Sequence, residues 1–383
     1  MMSARLLSLL LVTLLPACTS QASVQPCAQP GTWLAHDGEQ VRAQPLQGLL
    51  AVLARQQVVL LGETHDSAED HRWQLATLAQ LHALRPDLAI GFEMFPRRLQ
   101  PVLDRWVAGE LSEAEFLRLT EWERVWGYDA RLYLPLFHYA RMNRLPMLAL
   151  NVERSLIATV EAQGWEGVPE QRREGVSRPA PPSTGYLVQL REVFAHHPQK
   201  RGERQETAFA RFVEAQTTWD RAMAQAIADY LAHRPQALVV GIVGAGHVRH
   251  GHGIAHQLKD LGVTRVANLL TWDARVPCSE YAVGLAQAVY VVQAPQDDPP
   301  RLGVAMEPAG AGVRIAQVNA GSVAEAAGLR PGDVITEAAG RSVHTPQDVR
   351  TTVQRLPPGT WLPLRVQRDG VALELIARFP PAP

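Results

Sequence analysis

The sequence predicts a two-part chain: an α/β domain on a central, mostly parallel sheet with flanking helices, then a small β-sandwich or barrel with two helices. Three observations carry this. Runs rich in Val, Ile and Leu stop at glycine and a polar residue, as in VVLLGETHD (Val58–Asp66) and ALVVGIVGAGH (Ala237–His247), and such runs read as strands buried on both faces. Apolar stripes at helical spacing separate them, the alternation that builds a parallel sheet. After QAPQDDPP (Gln293–Pro300), a linker by its composition, the texture changes to short alternating strands.

At 383 residues the chain has material for two domains, and a net charge of -1 gives no reason to expect a nucleic-acid partner. Its first residues carry Arg5 and then LLSLLLVTLLPA, too short to span a bilayer and suited to a signal peptide. Leu15-Pro16-Ala17-Cys18 resembles the bacterial lipobox. That resemblance implies removal of residues 1–17, acylation of Cys18 and a membrane held through a lipid anchor. Thr19 after the cysteine, by likeness to lipoprotein sorting, favours the outer membrane. Cys27 and Cys278 remain, and either a disulfide or two separate thiols satisfies the composition.

Residues 18–44 read as a polar tether with a short strand at Gly31–Leu34, and the α/β domain as 45–292. Its first strand ends near Asp66. Ser67–Leu84 follows as a helix with Trp73, Leu78 and Leu81 on its stripe and Asp66 and Ser67 as capping residues. Asp87–Phe95 is the second strand, Pro96–Trp126 two short helices, Arg131–Arg144 another helix, and Pro146–Leu150 the third strand. Gly164–Gly185, rich in Pro, Gly, Arg and Glu, reads as a mobile excursion. A helix opening near Tyr186 and a long one over 203–231 precede the fourth strand; a fifth is expected at Arg265–Leu270 and a last strand or hairpin in Tyr281–Val292.

Four strand-then-helix units thus finish in polar residues: Glu63 with His65, Glu93, Asn151 (with Glu153 just beyond), and His247. In an open α/β sheet the crevice beyond the strands' carboxyl ends is where ligands bind, so these groups are expected to meet there. Both histidines stand in Gly-x-x-His, after Gly62 and Gly244. The residue types allow three chemistries. His65, His247 and Glu63 are the donors a divalent ion such as zinc or manganese takes, with Glu93 polarising water in a hydrolase. A histidine polarised by a carboxylate also serves as a metal-free general base. An apolar cleft with a histidine or tyrosine suits haem. Gln216 and Asp220 sit beside the long helix's apolar stripe, while His250, His252, His196 and His197 read more simply as loop or helix-end residues.

Taken together, LLGETHD, FEMF, WGYDARLYLPLFHYARMNRLPMLALNVER, FVEAQTTWDRAMAQAIADYL and GIVGAGHVRHGHGIAHQL resemble, in order, the ChaN family of haem-binding lipoproteins, over about Leu46–Val292. That family sits in a superfamily with the Tiki and TraB proteins and the erythromycin esterases. The resemblance implies haem as cofactor, a role in haem and iron uptake, and a homodimer with face-to-face haems and tyrosine ligation. Tyr186, which opens the helix after the 164–185 segment, is the candidate ligating tyrosine. The Tiki relatives, metal-dependent proteases with two Gly-x-x-His motifs, and the esterases, with a histidine after Gly-Glu, keep a hydrolase open.

Residues 301–383 resemble a PDZ domain, most closely in VNAGSVAEAAGLRPGDVITEAAGRSV (Val318–Val343). The resemblance makes Arg301, Leu302, Gly303 and Val304 the carboxylate-binding loop for a peptide or protein C-terminus that adds to a sheet edge. It makes Thr345–Leu356 the groove helix, with Val349 and Val353 toward the ligand. A third function class follows from it: an envelope scaffold acting through this domain.

Overall fold

A computed structural model describes residues 27–196, 205–293, 300–354, 356 and 359–381. The signal peptide, Cys18 and His197 lie outside the described residues. The chain divides into two compact units, the smaller grouping Asp66–Arg72 with everything described from Gln293 onward.

The larger unit opens with Trp33–Asp37 (β1) and Gln40–Ala43 (β2), an antiparallel hairpin, then Leu46–Leu53 (α1). Val58–Glu63 (β3) is buried at every position and leads to Ala68–Leu84 (α2). Leu88–Pro96 (β4), likewise buried throughout, is followed by Gln100–Val107 (α3), Glu113–Leu119 (α4), Trp122–Val125 (α5) and Ala130–Asn143 (α6). Met147–Asn151 (β5), Arg154–Gln163 (α7), Thr184–Ala195 (α8) and Gln205–His233 (α9) come next. Leu238–Gly244 (β6), Ile254–Asp260 (α10), Val266–Asp273 (β7) and Ala288–Val292 (β8) complete the unit.

These strands form one eight-stranded sheet in the order β2-β1-β8-β7-β3-β6-β4-β5. From β8 to β5 every neighbour is parallel; the β1–β2 hairpin closes one side antiparallel. Separate apolar clusters cover the two faces, one built on Trp106, Phe116, Phe137 and their neighbours, the other on Met223, Ile227 and Ile254, which is why the central strands carry no polar alternation. In this order β3, β6 and β4 lie side by side. Their carboxyl ends therefore deliver Glu63, Gly244 and Glu93 to one edge.

Two expectations change here. Residues 33–43 are part of the sheet and not tether: Trp33 and Leu34 are buried, and β1 pairs with β8. The polar letters of this hairpin, Gln40 and Arg42 among them, are the exposed side of an edge. Nor is 164–185 a loose excursion. Trp165, Val168 and Val176 are buried with Leu156 and Val160 of α7, and the Gln257 amide exchanges two hydrogen bonds with Ala180, at 2.8 and 3.0 Å. A few apolar residues among many Pro and Gly suffice to seat it. Cys27 and Cys278 are disulfide-bonded, their Cα atoms 4.6 Å apart.

The smaller unit runs Val304–Ala309 (β9), Gly312–Val318 (β10), Val323–Ala326 (α11), Val334–Ala338 (β11), Arg341–Ser342 (β12), Pro346–Gln354 (α12), Trp361–Arg368 (β13) and Val371–Arg378 (β14). Its antiparallel sheet is ordered β14-β13-β11-β10-β9, with β12 beside β11, so β9 is an edge. The β13–β14 hairpin turns at Asp369-Gly370 with both residues at positive φ, 50° and 80°, the geometry that pair favours.

Candidate functional site

The strand ends build two histidine–carboxylate pairs around Glu93. On β3, Glu63 is sealed from solvent and its Oε1 lies 3.0 Å from His65 Nδ1. Tyr133 of α6 donates to the same oxygen at 2.7 Å, and Gln74 of α2 donates to Oε2 at 2.8 Å. With a carboxylate facing it, Nδ1 carries the ring proton of His65. Opposite, His247 Nδ1 lies 2.7 Å from Asp220 Oδ1 of α9, and its Nε2 lies 3.5 Å from Glu93 Oε1. Glu93 also accepts the Gly244 amide at 2.5 Å, while Asn151 donates to the Glu93 carbonyl at 2.8 Å.

The charges settle as the geometry demands. Burial opposes protonation of His247, but Asp220 and Glu93 outweigh it and push its pKa up to about 10. Burial likewise pulls His65 down; the Glu63 hydrogen bond and the charges of Glu93 and Glu63 more than reverse it, so His65 stands above its ordinary value. Burial would raise Glu93, yet His247, His65 and the Gly244 amide hold it below the usual carboxylate range.

A cavity of about 560 Å³ opens on this cluster. His65 and Glu93 lie in its lining with Trp126, Tyr128, Trp219 and Met94, and Arg124 and Arg154 also contribute. The His65 ring stands edge-on to Trp126, centroids 4.7 Å apart, and 5.1 Å from Tyr128. Trp219 packs edge-on against His247. Aromatic and aliphatic walls with a few convergent polar groups are the usual make-up of a cofactor pocket, and the volume is in the usual range. The donor set fits haem: an imidazole and a phenol on one wall, flat apolar surfaces beside them, and the Arg154 guanidinium, whose hydrogen bond goes to the Val125 carbonyl.

The structure brings His65, His247, Glu63 and Glu93 to one place, as their strand-end positions implied. It does not make a metal-ligand set of His65, His247 and Glu63. Both Glu63 oxygens are engaged by His65, Tyr133 and Gln74, and among the described residues no group of three His, Cys, Asp or Glu side chains is placed to hold an ion. Tyr186 is also placed elsewhere. It is 2% exposed, is not in the cavity lining, and donates its hydroxyl to Asp220 Oδ2 at 2.6 Å. Burial first, and then the Asp220 charge, push its phenol far above the ordinary tyrosine pKa, so it stays a protonated donor that steadies Asp220 and, through it, His247. Tyr128, 39% exposed beside His65, is the tyrosine the cavity offers.

Asp220, placed by sequence beside the apolar stripe, thus belongs to the cluster, while Gln216 one turn earlier is half-buried outside the cavity lining. Glu153 lines the cavity and pairs with Arg98. His250 and His252 stack on each other 5.4 Å apart away from it, and His196 bonds to the Glu192 carbonyl of its own helix. Tyr133 and Gln74 were missed. Each is one polar letter inside an amphipathic helix, and nothing local marks it as facing a strand end.

In the smaller unit, the Leu302 and Gly303 carbonyls accept from Ala324 and Asn319, both at 2.9 Å, which ties the loop down on its carbonyl side. Gly303 has φ +81°, and a Cβ there would sit 2.4 Å from that of Ser322, so the loop needs glycine twice over. Arg301 is exposed; Val304, half-buried, starts the edge strand. Val349 and Val353, read as facing the ligand, are 0% and 3% exposed and pack in the core with Val313, Ile335 and Leu364. The side of α12 they occupy is the side that packs.

The family described as "Haem-binding uptake, Tiki superfamily, ChaN" matches residues 49–258, and the PDZ domain family matches residues 300–377. Among solved structures, "Cofacial heme binding to ChaN of Campylobacter jejuni" aligns with a TM-score of 0.54 at 17% identity, over 67% of this chain and 96% of that one. At that identity the likeness concerns the fold. The "Magnetosome formation protease MamE" of Magnetospirillum gryphiswaldense is 44% identical over 71 residues, 18% of this chain. This chain spans only 9% of the protease's length. The matched stretch covers more than half of the sequence and contains the whole histidine–carboxylate cluster: the chain belongs to the ChaN family of the Tiki superfamily, and joins to its ChaN-like haem-binding domain a C-terminal PDZ domain.

Proposed function

We propose that the larger unit captures haem in the strand-end cavity, with His65 and Tyr128 toward the iron and Arg154 toward the propionates. The observation that carries this is the imidazole of His65, backed by Glu63 and set beside Tyr128 in a cavity walled by Trp126, Trp219 and Met94. Bound haem would supply a Lewis-acidic iron and a flat apolar face. The chain's part is to orient His65 through Glu63, shelter the macrocycle with its indoles and meet the carboxylates with guanidinium. The edge strand β9 and the 301–304 loop support capture of a partner's C-terminus by the PDZ domain. On the lipobox reading, a lipid on Cys18 would hold the chain at the outer membrane, where it serves haem and iron uptake, in the resemblance as a homodimer.

Hemin titration of the purified chain tests the capture step. A saturable Soret band is expected, lost or shifted in His65→Ala or Tyr128→Phe and unchanged in Tyr186→Phe; uptake without saturation, or indifference to both cavity changes, overturns it. His65 and Glu93 on the cavity wall, with His247 held between Glu93 and Asp220, also favour a second reading, acid–base hydrolysis at His65 with His247 and Asp220 setting the charge of Glu93. Ester or peptide turnover abolished by His247→Ala, with no saturable Soret band, would replace the first reading by this one.

A further inference from the structure

A second cavity, of about 260 Å³, lies away from the histidines, between the start of β1, α2 and β8. Three aromatic rings meet there. Trp33 stands edge-on to Tyr290 with centroids 5.1 Å apart, Trp73 is stacked with Tyr290 at 6.4 Å and 19°, and Trp33 and Trp73 are 6.0 Å apart. The rest of the wall is uncharged: Gln44 and Gln80 contribute amides, Thr32 and Thr77 hydroxyls, and Leu46 and Ala76 a small apolar share. No Asp, Glu, Lys, Arg or His lines it, which sets it apart from the strand-end cavity. Trp73 is 3% exposed and its indole nitrogen has no hydrogen-bond partner in the structure, although buried indole N–H groups ordinarily find one.

Each property narrows the ligand. The volume falls below the roughly 300 Å³ at which drug-sized pockets begin, so it takes one ring and excludes a porphyrin. Without a carboxylate an organic cation would depend on ring faces alone, and without a basic group an anion has no counter-charge. A purely apolar ligand would strip water from two amides and return nothing. A neutral polyhydroxylated ring answers all of these: its C–H face lies on aromatic surface, and its hydroxyls each donate and accept, matching the paired donor and acceptor of a glutamine amide. We infer that this pocket, formed by Trp33, Trp73, Tyr290, Gln44 and Gln80, is a binding site for a single neutral pyranose, either a free sugar or one residue of a glycan.

The full chain, with its tryptophan indoles labelled with nitrogen-15, would be titrated with D-glucose, N-acetylglucosamine and chitotriose, and separately with tetramethylammonium. Saturable shifts of a small set of indole signals that include Trp33 and Trp73, assigned by Trp33→Phe and Trp73→Phe, are expected with at least one sugar. Gln80→Ala and Gln44→Ala, both at half-buried positions that spare the core, should each weaken that binding by roughly fivefold, the scale of one lost hydrogen bond. His65→Ala should leave it unchanged. A response to the monosaccharides marks a free-sugar site, and a response to chitotriose alone marks a glycan end. Shifts that never saturate with any sugar, equal affinity in both glutamine variants, or saturation by tetramethylammonium instead would overturn the assignment.

Discussion

Glu63 shows how a single side chain commits a site. It is fully buried, and its charge is tolerable only because Tyr133, Gln74 and His65 all address it. Tyr133→Phe removes a hydrogen bond to a buried charge and is expected to cost about 1.5–3 kcal/mol, read as a fall in the urea midpoint. Asp220→Ala strands both the Tyr186 hydroxyl and His247, and is expected to cost more, about 3–5 kcal/mol. The cluster also sets a pH window. His247 is raised from 6.5 to about 10, so its contribution to stability is complete below pH 6.5 and is lost as pH climbs toward 10. Glu93 is depressed from 4.5, so its contribution is present above pH 4.5 and lost as pH falls through the lowered value. Urea midpoints should therefore be highest between these limits and decline from pH 6.5 to 10, and His247→Ala should flatten that decline.

At the level of elements, the parallel strands β3, β6 and β4 were readable from their apolar runs, because strands buried on both faces need an unbroken one. The glycine that ends β6 has a separate, steric purpose. A Cβ on Gly244 would sit 2.9 Å from His65 Cε1 and 3.4 Å from Glu93 Oε2, while its φ of -61° suits any residue. Gly244→Ala is therefore expected to displace the His65 ring and weaken hemin binding while lowering stability by only about 1–2 kcal/mol; equal hemin affinity would show that the ring has room to move. The hairpin β1–β2, by contrast, was not readable as part of the sheet. An edge strand four or five residues long shows too few buried positions to stand out from a polar tether, and its role is settled by the partner β8, far along the sequence.

Across the larger unit the Cys27–Cys278 disulfide joins positions 251 apart and fastens the segment before β1 to the segment before β8. Breaking it in Cys27→Ser with Cys278→Ser is expected to cost roughly 2–5 kcal/mol, seen as a lower Tm that reductant no longer changes. The sequence by itself determined the two-domain plan, the parallel strands and the two Gly-x-x-His motifs, since strand period, linker composition and glycine spacing are local properties. It also brought Glu63, His65, Glu93 and His247 to one sheet edge, because in a parallel sheet every carboxyl end points the same way. Only the tertiary structure decided which partners those groups take. Tyr186 turned out to serve Asp220 and not the cavity, Tyr133 and Gln74 to hold Glu63, and Val349 and Val353 to face inward. Which side of a helix meets which strand end depends on packing between segments dozens of residues apart, and no local pattern carries that information.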